Sequence, residues 1–105
     1  MPMKNIKSFK PSERQAKQWL KDAAQGKRRL VFSPHAEIQM RKRKIGRRQV
    51  LETLGSGTIS EPLHQDIHGE WKCNISWRHA GLHVTVAAAF KLHESGDWVI
   101  IITVF

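Results

Sequence analysis

The chain reads as an α+β domain, with N-terminal helices packed on one face of a small antiparallel β-sheet. Two observations carry that reading. Apolar residues recur at helical spacing through the first half of the 105 residues and at strand spacing through the second. Charge divides at the same place: residues 1–50 hold 15 Lys and Arg against 3 Asp and Glu, while residues 51–105 hold 3 against 6. Helices followed by a run of strands give helices segregated to one side of a meander. The length fits one domain, taken here as residues 11–105, after a basic, flexible arm at 1–10.

Ser12 opens the first helix, and Gln15 three residues on completes a capping box. Ala16, Trp19, Leu20 and Ala23 form its apolar stripe, and Gly26 stops it. Leu30, Val31 and Phe32 form a short strand. Ser33-Pro34 is a helix cap followed by proline at the first helical position. That helix runs to about residue 44 and is broken by Gly46. A third helix over 47–54 turns Val50, Leu51 and Leu54 inward and ends at Gly55-Ser56-Gly57.

The period then becomes two. Trp71, Cys73, Ile75 and Trp77 alternate with polar residues, and so do Leu82, Val84, Val86, Ala88 and Phe90 with their neighbours. Residues 78–81 and 94–97 are turns. The apolar run 98–105 has the composition of a central strand buried on both faces. Cys73 lies on the apolar strand face and reads as a core residue; a single cysteine excludes an internal disulfide. Trp71 and Trp77 share that face and read as core, with base stacking the alternative if the face is open.

A net charge of +9, concentrated in one half, points to a polyanionic partner, most plausibly nucleic acid. No apolar run follows the basic N-terminus and none approaches the roughly 20 residues of a membrane span, so a cytoplasmic protein with no membrane partner is expected. His64 and His68 are four apart, but Pro62 and Gly69 bracket them and nothing completes a set of three ligands, so neither metal nor cofactor is expected.

The chemistry concentrates on the second helix. His35, Gln39 and Arg43 fall at i, i+4 and i+8, a stripe bordering the face that carries Ala36 and Met40. Arg41, Lys42, Arg47 and Arg48 add charge around it. An imidazole moves protons near neutral pH, and a guanidinium holds phosphate bidentately. His83, with Thr85 on one strand face, would partner His35 if that face met the helix.

His35, Ala36, Met40, Arg43 and Ile45, with a closing Ile101-Ile102-Thr103-Val104-Phe105, resemble the signature of domain-of-unknown-function family 4258. Its members read H-A-x-x-R-M-x-x-R-G-I and close on V-I-T-V-aromatic. Two positions depart: Gln39 stands where the family has arginine, and Lys44 where it has glycine. That family is similar to the RelE-like, barnase–colicin group of ribonuclease toxins.

The resemblance implies metal-independent RNA cleavage, with the ribose 2′-OH attacking the adjacent phosphate. It implies His35 as general base or acid and Arg43 on the scissile phosphate. Thr103 would bond the phosphate or orient His35. Gln39, Arg41, Lys42, Arg47 and Arg48 would bind substrate. The expected partners are RNA, with mRNA at the ribosome among the candidates, and an acidic antitoxin protein. Two alternatives stand beside this: a non-catalytic RNA- or DNA-binding module, and a basic adaptor for an acidic protein.

Overall fold

The structure is a computed structural model and describes residues 11–91 and 98–105. Among these residues three helices, α1 (Glu13–Ala24), α2 (Pro34–Arg43) and α3 (Arg47–Ser56), accompany five strands. These are β1 (Arg29–Phe32), β2 (Thr58–Gln65), β3 (Trp71–His79), β4 (Leu82–Lys91) and β5 (Trp98–Val104). The strands form one sheet in the order β1-β5-β4-β3-β2. The α+β class is as the sequence predicts, with one amendment to the sheet. Pairs β2–β3, β3–β4 and β4–β5 are antiparallel, but β1 adds to β5 in parallel, Leu30 facing Val99 and Phe32 facing Ile101. A pairing between residues so far apart in sequence leaves no local pattern to read.

Register sorts the side chains. Cys73 faces Ala88, Ile75 faces Val86, and Ala88 and Phe90 face Ile101 and Val99. All of these belong to one core cluster with Ala16, Leu20 and Ala23 of α1, Ala36 of α2, and Val50 and Leu54 of α3. The helices therefore cover one face of the sheet. Burial and the Glu13 charge push the Cys73 thiol up to about 12, which suits an inert core residue.

Among the described residues the other face carries no helix, so β5 is interior to the sheet but buried on one side only. Val99, Ile101 and Val104 are buried, whereas Ile100 and Thr103 on the opposite side are half-buried. A shift of register at Ala87/Ala88 keeps Thr103 off the core side while Val104 stays on it.

Local rules account for the helix boundaries. The Ser12 hydroxyl accepts from the Gln15 amide at 3.1 Å, and the Gln15 side chain accepts from the Ser12 amide at 3.0 Å. Trp19 is half-buried and packs edge-tilted on Phe90, ring centroids 5.2 Å apart. In α3, Thr53 is fully buried beside Leu54, its hydroxyl donating to the Gln49 carbonyl at 2.8 Å. At Gly57 a Cβ would lie 2.6 Å from the carbonyl oxygens of Ser76 and Thr53, so only glycine lets the chain pass from α3 into the sheet.

Strand β2 has no counterpart in the sequence reading. It contains Pro62, its register against β3 shifts between Ile59 and Glu61 and again before His64, and only Ile59 and Leu63 reach the core. An irregular edge strand tolerates proline and needs no alternation. The β3–β4 turn tightens to Ala80-Gly81, both at positive φ (52° and 81°), as a two-residue type I′ hairpin requires. The arm at 1–10 and the turn at 94–97 lie outside the described residues.

Candidate functional site

Helix α2 is held by its start. The Ser33 hydroxyl accepts from the Ala36 amide at 3.0 Å and donates to the Ile102 carbonyl at 2.8 Å. The Ser33 amide donates to the Ile101 carbonyl at 3.0 Å. One serine thus caps the helix and fastens it to β5, at the residue before Thr103. Beyond that anchor α2 is largely in water: Ala36 is its one buried residue, and Gln39 and Met40 are half-buried. The sequence shows the cap; the tie to Ile102 spans 69 positions and carries no local signal.

His35, in the first turn of α2, is exposed, and among the described residues no hydrogen bond or ion pair engages its ring. Arg43 is also exposed, at the last position of the same helix. Eight residues at 1.5 Å each separate the two by about 12 Å along the axis. They lie on one side of the helix but not against one atom. Thr103 is half-buried on the sheet face away from the helices, as its pairing with Ala87 requires. His83 lies on that same helix-free face, exposed and opposite Arg78, because its neighbour Val84 points into the core. The strand face bearing His83 therefore does not meet α2.

The cation that the fold does bring toward the start of α2 is Arg47. Its guanidinium sits over the Phe32 ring, 4.8 Å from the centroid, and Phe32 immediately precedes Ser33. Arg47 and Arg48 open α3, whose first turn has no acidic residue. Cations at a helix N-terminus oppose the helix dipole, which favours anions there. The α3 start is closed instead by Gln49, whose side-chain oxygen accepts from the Gly46 amide at 2.7 Å.

Arg41, Lys42, Arg43 and Lys44 complete a run of exposed cations. Among the described residues only Arg48 of this cluster has an ion pair, at 4.0 Å to Glu52. A shallow hollow of about 570 Å³ lies between Glu37, Met40 and Arg41 of α2 and Lys44, Ile45 and Gly46 of the link to α3. Gln39 stands half-buried on α2.

Two features were not foreseen. A row of hydroxyls crosses three strands on the helix-free face: Ser76 bonds both Ser60 and Thr85 at 2.8 Å. A cleft of about 280 Å³ opens between α3 and the β3–β4 hairpin, lined by Gln49, Glu52, Trp77, His79, Ala80, Leu82 and Val84. Trp77 was read as core; it is half-buried, and its ring stacks on that of His79. The alternation that placed Trp77 on the core face was visible, but how far α3 covers that face is a tertiary fact.

His64 is exposed on β2 with its Nδ1 at 3.0 Å from the Pro62 carbonyl, and His68 lies in the turn beyond. Among the described residues no three His, Cys, Asp or Glu side chains converge on one point, and no helix is long and apolar enough to cross a membrane.

Comparison with curated proteins and with solved structures gave no match. Comparison with protein families matched residues 32–105, from the end of β1 through α2, the cation run and the sheet to the last residue. That span is more than half of the chain, and the chain belongs to the family described as Domain of unknown function (DUF4258).

Proposed function

We propose that the chain is a small RelE-like ribonuclease toxin acting on single-stranded RNA. The observation that carries this is the run of exposed cations at residues 41–44, 47 and 48 beside a helix that presents an unengaged histidine. Dense like charge costs helix stability, and two arginines at the start of α3 oppose its dipole. A polyanion bound along this face offsets both.

In the proposed reaction the ribose 2′-oxygen bonds to the adjacent phosphorus and the bond to the 5′-oxygen breaks. A cyclic phosphate and a free 5′-hydroxyl remain. His35 takes the 2′-hydroxyl proton while water protonates the leaving 5′-oxygen, or His35 protonates the leaving oxygen while water takes the 2′ proton. Arg47, stationed over Phe32, is the cation suited to the phosphate beside His35. Arg43, about 12 Å along α2, holds a neighbouring phosphate with Arg41, Lys42 and Arg48. Thr103 stands one residue past the anchor of α2 but on the sheet face away from the helices, so the proposed reaction gives it no role. An acidic antitoxin would neutralise the same cations.

A second reading, a non-catalytic RNA-binding module, draws support from the distance between His35 and Arg43 and from His83 lying on the other sheet face. One experiment separates the two. Wild type and His35→Ala are expressed in a host, and growth and RNA integrity are followed with and without chelator in a matched cleavage assay. The proposal expects cleavage that survives EDTA and falls by about 10²–10⁴ in the variant, with unchanged thermal stability because the ring is exposed and unbonded. Intact RNA in both, with salt-sensitive binding retained, selects the binding module.

A further inference from the structure

We infer that the cleft between α3 and the β3–β4 hairpin is a base-reading subsite that takes a guanine of single-stranded RNA. The inference rests on the chain binding RNA, and it does not need the chain to cleave it.

The floor of the cleft is two cross-strand pairs, Trp77 with Val84 and His79 with Leu82. The Trp77 and His79 rings stack, centroids 4.8 Å apart and planes within 8°. Leu82 at the mouth is 42% exposed, so this apolar and aromatic surface is uncovered. Aromatic side chains bind single-stranded bases by stacking, whatever the base. The volume, about 280 Å³, falls just short of the roughly 300–1,000 Å³ of sites for drug-sized ligands and suits a single ring system.

Selection comes from the wall. Glu52 lines it with a carboxylate that can only accept. Among the described residues its one ion pair is the long contact to Arg48, whose side chain is 91% exposed, so lone pairs remain for a ligand. Gln49 lines it too. Its amide oxygen is taken by the Gly46 amide, which leaves its NH₂ group as the end that can donate. Two acceptor oxygens beside a donor match the Watson–Crick edge of guanine. Its N1–H and N2–H would go to Glu52, and its O6 would accept from Gln49. Adenine and cytosine would set a ring-nitrogen lone pair against the carboxylate, and uracil offers one N–H between two carbonyls. Arg47 and Arg48, one turn earlier on α3, supply the charge for the attached phosphate.

The test uses the ¹⁵N-labelled full chain and mononucleotides, so that no cleavage is required. The indole N–H signals are followed during titration with the 5′-monophosphates of guanosine, adenosine, cytidine and uridine. The Trp77 signal is assigned with Trp77→Phe or, if that variant does not fold, by through-bond connectivity. Guanosine monophosphate should shift the Trp77 signal saturably, at least tenfold more tightly than the other three. Glu52→Gln should weaken it about tenfold, a loss within the range for one bidentate base contact, with the rest of the spectrum unchanged. A Trp77 signal that guanosine monophosphate does not move overturns the inference. So do four nucleotides that bind alike and ignore Glu52→Gln. Guanine binding in a chain that leaves RNA intact would sink the ribonuclease reading and leave this one standing.

Discussion

The stretch from α2 into α3 and the hairpins of the sheet treat charge in opposite ways. In the sheet, Lys72 bonds Asp66 at 2.9 Å and Lys91 bonds Glu70. Asp66 also accepts from the amides of His68 and Glu70 at 2.9 Å, so one carboxylate closes the β2–β3 turn. In the helical stretch six cations stand exposed within eight positions, and among the described residues only Arg48 reaches a carboxylate, at 4.0 Å. Charges in the sheet are spent on the fold. On the helices, Arg41, Lys42 and Arg43 suit the C-terminal end of the α2 dipole but crowd one another, and Arg47 and Arg48 stand against the dipole of α3. The proposed function supplies a ligand that offsets such a cluster, whereas the paired charges of the sheet need none.

The sharpest way to break that division is to exchange the two kinds of effect. Ile101 is fully buried on the interior strand β5. Ile101→Ala should cost about 2–5 kcal/mol of stability in urea unfolding, from lost burial plus a cavity. At temperatures where the variant remains folded, it should bind an oligoribonucleotide as wild type does. The cation cluster should do the reverse. Arg41→Gln, Lys42→Gln and Arg48→Gln combined should leave stability unchanged or raise it, by no more than about 0.5 kcal/mol for each substitution. The slope of log affinity against log salt should become shallower by about 2, from roughly 0.7 for each phosphate contact on a single strand. A triple variant with an unchanged slope would mean that these side chains track no phosphates.

The same division marks how much could be read beforehand. The Ser12 and Ser33 caps, the α1 stripe and strands β3 and β4 are local patterns, and each is in place. What escaped is made by distant partners. The β1–β5 parallel pair joins the N-terminal third to the last strand. Strand β2 draws its order from β3 more than from its own sequence. The cation cluster was legible because it is contiguous, whereas the relation of His35 to His83 depended on which sheet face met the helices. The hairpin cleft needs Gln49 and Trp77 together, and no spacing encodes that.

One cation bears on the fold as well as on the charge. Lys44 caps α2 in the left-handed region, at φ 56° and ψ 42°. Its amide bonds the Arg41 carbonyl and the Ile45 amide bonds that of Met40, which closes the helix end. Glycine adopts this conformation without the Cβ clash that costs other residues about 1–2 kcal/mol. The family pattern resembled by this segment has glycine here. Lys44→Gly should therefore stabilise by about 0.5–1 kcal/mol net of glycine's extra unfolded-state entropy. Lys44→Ala keeps the strained backbone and should give no such gain. Equal gains in the two variants would assign the effect to lost charge repulsion.

The smallest effect belongs to a sheet charge and has a defined pH window. The Lys72 ammonium, first, and then the Glu70 amide hold the Asp66 carboxyl down at about 2, below its ordinary 3.8. A folded-state pKa below the unfolded one stabilises the fold fully above the unfolded value, and the contribution is lost as pH falls through the folded one. The window is therefore about pH 4 down to about 2. Solvent screens this surface pair, so the change should be modest. Asp66→Asn cannot titrate there. The urea midpoint of wild type should accordingly fall toward that of Asp66→Asn between pH 4 and 2, the gap being widest at pH 5 and above. Parallel curves would show that the β2–β3 turn does not depend on this charge. The sheet would then hold its cations as loosely as the helices do, and the contrast between the two regions would narrow to burial alone.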